Sequence, residues 1–192
     1  MRAQVEGLIT LREAKDAERA AYNSQVSKLR GMYDKAQSIQ QTGNPLDAIA
    51  AFERVVSSKL PDPKGLRSQS ERNIASIRQQ MNSKTATLQT EADQAAAAGN
   101  LKSAILALRK ARQIDPQNPD LVDKIQRHTM DLRKQMMTLY QEGILEESFG
   151  NVEGGEARAG AKEKWKKILQ LDISDGEYYK KAYIKLKKYG AL

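Results

Sequence analysis

Few residues in this chain could carry chemistry. His128 is its only histidine. It falls in the series Leu121, Ile125, His128 and Leu132, whose steps of three and four place it on the apolar seam of a helix. A packed, hydrogen-bonded structural histidine is therefore expected rather than a general base. With one histidine and no cysteine, a transition-metal site is disfavoured and a thiol nucleophile is excluded. Glu146 and Glu147 are sequence neighbours, which leave a helix on different faces, so they do not converge as an acid/base pair and read as a solvated helix end. Gly150, Gly154 and Gly155 are followed by Glu156 and Arg158, without the preceding strand and Gly-Lys-Ser/Thr of a phosphate loop. The stretch GNVEGGEARAG reads instead as a flexible linker. No catalytic, cofactor-binding or metal-binding residue is expected, and the chain is expected not to be an enzyme.

The strongest chemical signal is electrostatic. From Ala157 to Leu192 ten Lys and Arg face four carboxylates, a net +6 of the whole chain's +8. In GEYYKKAYIKLKKYG, the residues Tyr178, Tyr179, Tyr183, Ile184, Leu186 and Tyr189 alternate with Lys180, Lys181, Lys185, Lys187 and Lys188. Lysines interleaved with aromatics suit phosphate attraction and base stacking, so these five lysines are the candidate contact to an anionic surface. The competing expectation is a terminal capping helix, with Tyr179, Tyr183 and Leu186 packed inward and the lysines keeping its outer face wet. The cap is preferred, because nothing resembles a recognition helix with Arg or Asn set for base edges.

The elements that must hold these residues are helical. Helix formers dominate, aromatics are 5% and β-branched residues never gather into alternating runs. A mean hydropathy of −0.68 describes a chain with much surface for its core, which suits an elongated stack of helices. Two stretches align without gaps at a period of 56 residues: Gly43 falls on Gly99, Asn44 on Asn100, Ala48 on Ala104, Ile49 on Ile105, Phe52 on Leu108 and Val55 on Ala111. A third copy puts Ala161, Trp165, Ile168 and Asp172 where Ala104, Leu108, Ala111 and Asp115 sit, 57 residues on, and lacks the Gly-Asn turn. Gly43 and Gly99 are expected to close one helix in the left-handed conformation, while Asn44 and Asn100 cap the next. Trp165 could serve as an interface anchor, but its alignment with Phe52 and Leu108 assigns it to the core.

Between the hairpins run long stretches without breakers. The plan is a single helical-repeat domain over 1–192 with about seven helices alternating long and short. A long helix ends near Thr42, and the others span about 45–58, 67–98, 101–114, 119–149, 157–171 and 176–189. Repeat units cover 22–65, 66–117 and 118–175, with a C-terminal capping helix over 176–189.

Gly-Asn, then Ala-Ile, then an aromatic or Leu, a small residue and Pro resembles the second half of the tetratricopeptide motif, a helix pair that repeats every ~34 residues. Gly43, Ala48, Phe52 and Pro61 match it, as do Gly99, Ala104, Leu108, Ala111 and Pro116. The first-helix signature is nearly absent, since Met32, Lys35-Ala36 and Ile39 stand where Trp, Leu-Gly and Tyr would fall. The 56-residue period is long, as though a third helix joined each pair. The chain also resembles the repeat region of bacterial signalling proteins that carry forkhead-associated domains. The resemblance implies an all-α, right-handed solenoid whose groove binds a peptide or helix of another protein. Ala86, Gln89, Asp93, Ala96 and Ala97 stand where chaperone-binding members carry a basic and Asn clamp, so chaperone tails are disfavoured as ligands.

The leading expectation is thus a non-catalytic scaffold or adaptor, with Tyr33, Gln40, Gln89, Asp93 and Tyr140 facing outward from the long helices to meet a partner protein. Nucleic acid or acidic membrane bound through the Lys/Tyr tail is one alternative. A homo-oligomeric spacer, its long helices pairing between copies, is another. No stretch approaches the ~20 apolar residues of a membrane span, and the start carries no signal-peptide pattern. A cytoplasmic location is expected.

Overall fold

The computed structural model describes the backbone of residues 2–192 and the side chains of residues 11–192. These residues form seven α-helices: α1 (Arg2–Thr42), α2 (Pro45–Val56), α3 (Leu66–Ala97), α4 (Leu101–Ile114), α5 (Pro119–Ser148), α6 (Ala161–Leu171) and α7 (Glu177–Lys188). No strand occurs among them, and the only extended pairing is an isolated bridge between Gly155 and Arg158. The all-helical class and the alternation of long with short are as the sequence implies. The chain divides into two compact units, one ending at Asn82 and one spanning Ser83–Leu192, so the division falls inside α3.

The short helices α2 and α4 start for the same physical reason. Asn44 accepts the Leu46 amide at 2.9 Å and Asn100 accepts the Ser103 amide at 3.0 Å, which satisfies donors the first helical turn would leave unpaired. Gly99 takes the left-handed conformation at φ +77°, as its place after α3 predicts. Gly43 does not. Its amide donates to the Ile39 carbonyl at 2.7 Å, and a Cβ there would lie 2.9 Å from that oxygen, so Gly43 is required by close approach rather than by handedness.

The repeat positions are the cores of the two units. Ala48, Phe52 and Val55 on α2, Ala104, Leu108 and Ala111 on α4, and Ala161, Trp165 and Ile168 on α6 are all fully buried. The long helices answer with a pattern of their own at spacings of four and three. Leu29, Tyr33 and Ala36 on α1 correspond to Thr85, Gln89 and Ala92 on α3 and to Met136, Tyr140 and Gly143 on α5. The first and third member of each set is buried and the third is always small, so the facing helix can come close.

In the first unit, Phe52 meets Tyr33 edge to face, with ring centroids 5.8 Å apart, and Leu66, Ile74 and Ile77 of α3 join that cluster. Arg67 knots the α2–α3 connection by donating to the Ser58 and Leu60 carbonyls, while Asp62 accepts the Leu66 and Arg67 amides at 2.7 and 2.9 Å. In the second unit, Ala92, Ala104, Leu108, Ala111 and Leu121 form one cluster. Leu101, Ile105, Leu132 and Met136 join Trp165, Ile168, Tyr178, Ala182 and Leu186 in another, which seats α7.

Candidate interaction surfaces

The sequence places Tyr33 on an outward face, but the structure buries it. Its ring packs on Phe52, and its hydroxyl accepts from Gln37 at 3.2 Å and from Asn73 at 3.3 Å, because the i, i+4, i+7 series it belongs to is the buried stripe of α1. Gln40, in the same unit, is exposed. In the second unit, Asp93 is exposed and paired with Lys124 at 3.0 Å, Gln89 is half-buried, and Tyr140 is half-buried against Tyr178 with centroids 5.7 Å apart. His128 is half-buried on α5. Among the described residues, no group of three His, Asp or Glu is placed to hold a metal ion, and no helix is long and apolar enough to cross a membrane.

Glu146 and Glu147 are not a solvated end. Glu146 is buried, accepting Nδ2 of Asn151 and Nε of Arg158, each at 2.8 Å. The Asn151 donor, then Arg158, holds its carboxyl below the usual range against the opposing effect of burial. The stretch expected to be a flexible linker is thereby tied down. The Ala161 amide donates to the Asn151 carbonyl at 3.0 Å and the Lys162 amide to the Val152 carbonyl at 3.1 Å, while Gly154 and Gly160 pass too close for a Cβ on either. Four residues expected in α6 are spent on this loop, so the helix begins at Ala161 rather than 157.

Glu147 points the other way, into the contact between α5 and α7. It accepts Nζ of Lys185 and Oη of Tyr189, each at 2.5 Å. Burial raises its pKa, and those two donors more than offset the rise. Tyr189 stacks on Trp165 at 5.9 Å and Lys185 lies 5.4 Å above the Trp165 ring, so one carboxylate orders a cation–aromatic layer across α5, α6 and α7. The backbone of α7 is capped from a distance by Asp172, whose Oδ2 accepts the Tyr179 amide at 2.9 Å. A Cβ on Gly176 would lie 2.5 Å from that carboxylate, so the position needs glycine.

The tail packs through a face rotated from the one the sequence suggests. Tyr178, Ala182 and Leu186 are buried, Tyr179 is partly covered, and Tyr183 stands outside. Of the ten cations after Ala157, six are matched within the chain: Arg158 with Glu146, Lys162 with Glu153, Lys164 with Glu142, Lys181 with Glu177, and Lys185 and Lys188 with Glu147. More than half of the charge that suggested phosphate contact thus has a carboxylate beside it within the chain. Among the described residues, Lys166, Lys167, Lys180 and Lys187 have no carboxylate partner.

Apolar side chains at the surface lie elsewhere. On α5, Val122, Met130, Met137 and Leu145 are exposed at steps of seven and eight, opposite the face that buries Leu121, Leu132, Met136 and Gly143. Phe149, at the end of the same helix, is 68% exposed with the Arg158 guanidinium 5.8 Å above its ring. Sequence reasoning passed over this second stripe because the buried seam accounted for the helical period first. Comparison with protein-family models, curated proteins and solved structures finds no match to this chain.

Proposed function

We propose that the chain is a non-catalytic protein-binding module, a scaffold or adaptor of tetratricopeptide-like hairpins stacked as a right-handed solenoid. The observation that carries this reading is the exposed stripe of Val122, Met130, Met137 and Leu145 on a helix whose other face is fully committed to the core. An apolar stripe at such spacing on the solvent side fits a partner helix or extended peptide, and exposed methionines adapt their shape to what they meet. Gln89, Asp93 and Tyr140 supply polar contacts in the same unit, and Gln40 does so in the other. Tyr33 is withdrawn from the binding set.

The test is capture of partners from source lysate, at low and at high salt, with the wild-type chain and with a Met130→Asp/Met137→Asp chain whose substitutions are at the surface. One discrete protein retained by wild type at both salts and lost by the variant is the expected result. Equal retention by both chains, or retention by wild type that salt abolishes, contradicts the reading.

A further inference from the structure

The outer face of α7 is another place where apolar side chains lie at the surface. Lys180, Tyr183, Ile184 and Lys187 follow one another at i, i+3, i+4 and i+7, so they share one face of the helix. Tyr183 is 44% and Ile184 66% exposed. Lys185 and Lys188 are matched by Glu147, and Lys181 is matched by Glu177. Lys180 and Lys187, flanking the two apolar side chains, have no such partner among the described residues. The outer face of α7 thus presents two apolar side chains between two lysines that form no ion pair among the described residues.

We propose that this face docks an acidic helix of a partner protein, whose apolar side chains sit on Tyr183 and Ile184 and whose flanking carboxylates meet Lys180 and Lys187. Charge complementarity sets the partner's sign, and the succession of Lys180, the Tyr183–Ile184 pair and Lys187, each about one turn from the next, sets its form, since i and i+3/i+4 contacts are how helices read each other. A lipid surface fits less well. Membrane-surface helices lay an apolar face along their length into the headgroups, whereas α7 is fixed on the protein by Asp172, Glu147 and the buried Tyr178, Ala182 and Leu186. The site is separate from the α5 stripe and does not depend on it.

The experiment is selection of a phage-displayed library of helical peptides, with a fixed Leu/Ile seam and randomised flanks, on the full wild-type chain. Recovered peptides are then measured against Lys180→Glu/Lys187→Glu, Tyr183→Ser/Ile184→Ser and Met130→Asp/Met137→Asp chains. All substituted side chains are exposed, and circular dichroism checks that each variant is folded. Peptides with acidic flanks should be recovered, should bind the charge-reversed chain about tenfold more weakly or worse, should lose binding to the Ser variant, and should bind the α5 variant as they bind wild type. Recovery of peptides without acidic bias, unchanged binding to the charge-reversed chain, failure to recover any peptide, or binding confined to phosphatidylserine vesicles would each overturn the proposal.

Discussion

Two hairpin turns in the second unit solve one problem in different ways. Between α3 and α4, the turn is made by Gly99 in the left-handed conformation and by the cap of Asn100, and the helices meet through Ala92 and Ala104. Between α5 and α6, the chain spends Phe149–Gly160 on a loop organised by one buried carboxylate, Glu146, and the helices meet through Gly143 against Trp165. The short turn is specified by residues with special backbone freedom. The long loop is specified by a charge that has no favourable place unless Asn151 and Arg158 come to it. Large core side chains also demand compensation. Where α4 carries Leu108, Ala92 suffices opposite it; where α6 carries Trp165, only glycine leaves room.

The sharpest way to break this contrast is at Gly143. A Cβ there would lie 2.5 Å from Nε1 of Trp165, a ring with no solvent exposure. Gly143→Ala is expected to destabilise the second unit by about 1–3 kcal/mol despite the better helix propensity of alanine. Adding Trp165→Phe should recover part of the loss in denaturant unfolding, giving a non-zero coupling energy. Equal additive losses would mean that the glycine is not there for the tryptophan.

Acid should distinguish the two turns next. Glu146 and Glu147 have folded-state pKa values below the ordinary 4.5. Their contribution is therefore complete above that value and is lost as pH falls through the lowered one. Asp172 has the opposite sign: burial raises its pKa in the fold, which favours the fold at lower pH and softens the acid response. Between about pH 7 and about pH 3, fluorescence of Trp165 is expected to report loosening of α6 and α7 before helicity elsewhere falls. A single coincident transition would place the carboxylates outside the stability of that region.

Smaller effects sharpen the account of the short turn and its long helix. Asn100→Ala should cost about 1 kcal/mol by removing the α4 cap, read from the unfolding midpoint. Thr85 occupies the position that Leu29 and Met136 fill in the other copies, and its buried Oγ1 has no hydrogen-bond partner among the described residues. Thr85→Val should therefore stabilise the chain by about 1 kcal/mol. No gain would show that the hydroxyl is satisfied in solution.

The short helices were legible in the sequence because Ala48, Phe52 and Val55 recur as Ala104, Leu108 and Ala111 with like residues at like spacing. Their partners on the long helices were not. Leu29, Thr85 and Met136 share burial and little chemistry, and Tyr33, Gln89 and Tyr140 span buried to half-exposed, so residue type alone put Tyr33 on the wrong face. Glu146 was missed because a buried carboxylate is recognised by its partners, and Asn151 and Arg158 come from a loop with no period to reveal it. In the tail, Tyr178 and Tyr179 are adjacent tyrosines that composition cannot tell apart; only the seat offered by α5 and α6 decides that Tyr178 goes in and Tyr183 stays out. The α5 stripe and the free lysines of α7 emerge once the buried faces are subtracted.

Amide hydrogen exchange of residues 146–162 in the wild-type and Glu146→Gln chains tests most directly whether a buried carboxylate replaces the Gly-Asn turn. If it does, the Asn151, Ala161 and Lys162 amides are protected in wild type and lose protection in the variant, while the Asn100 and Ala104 amides of the other turn are unchanged. Unprotected exchange across the loop in wild type, or a variant that leaves those three amides as slow as before, would contradict it.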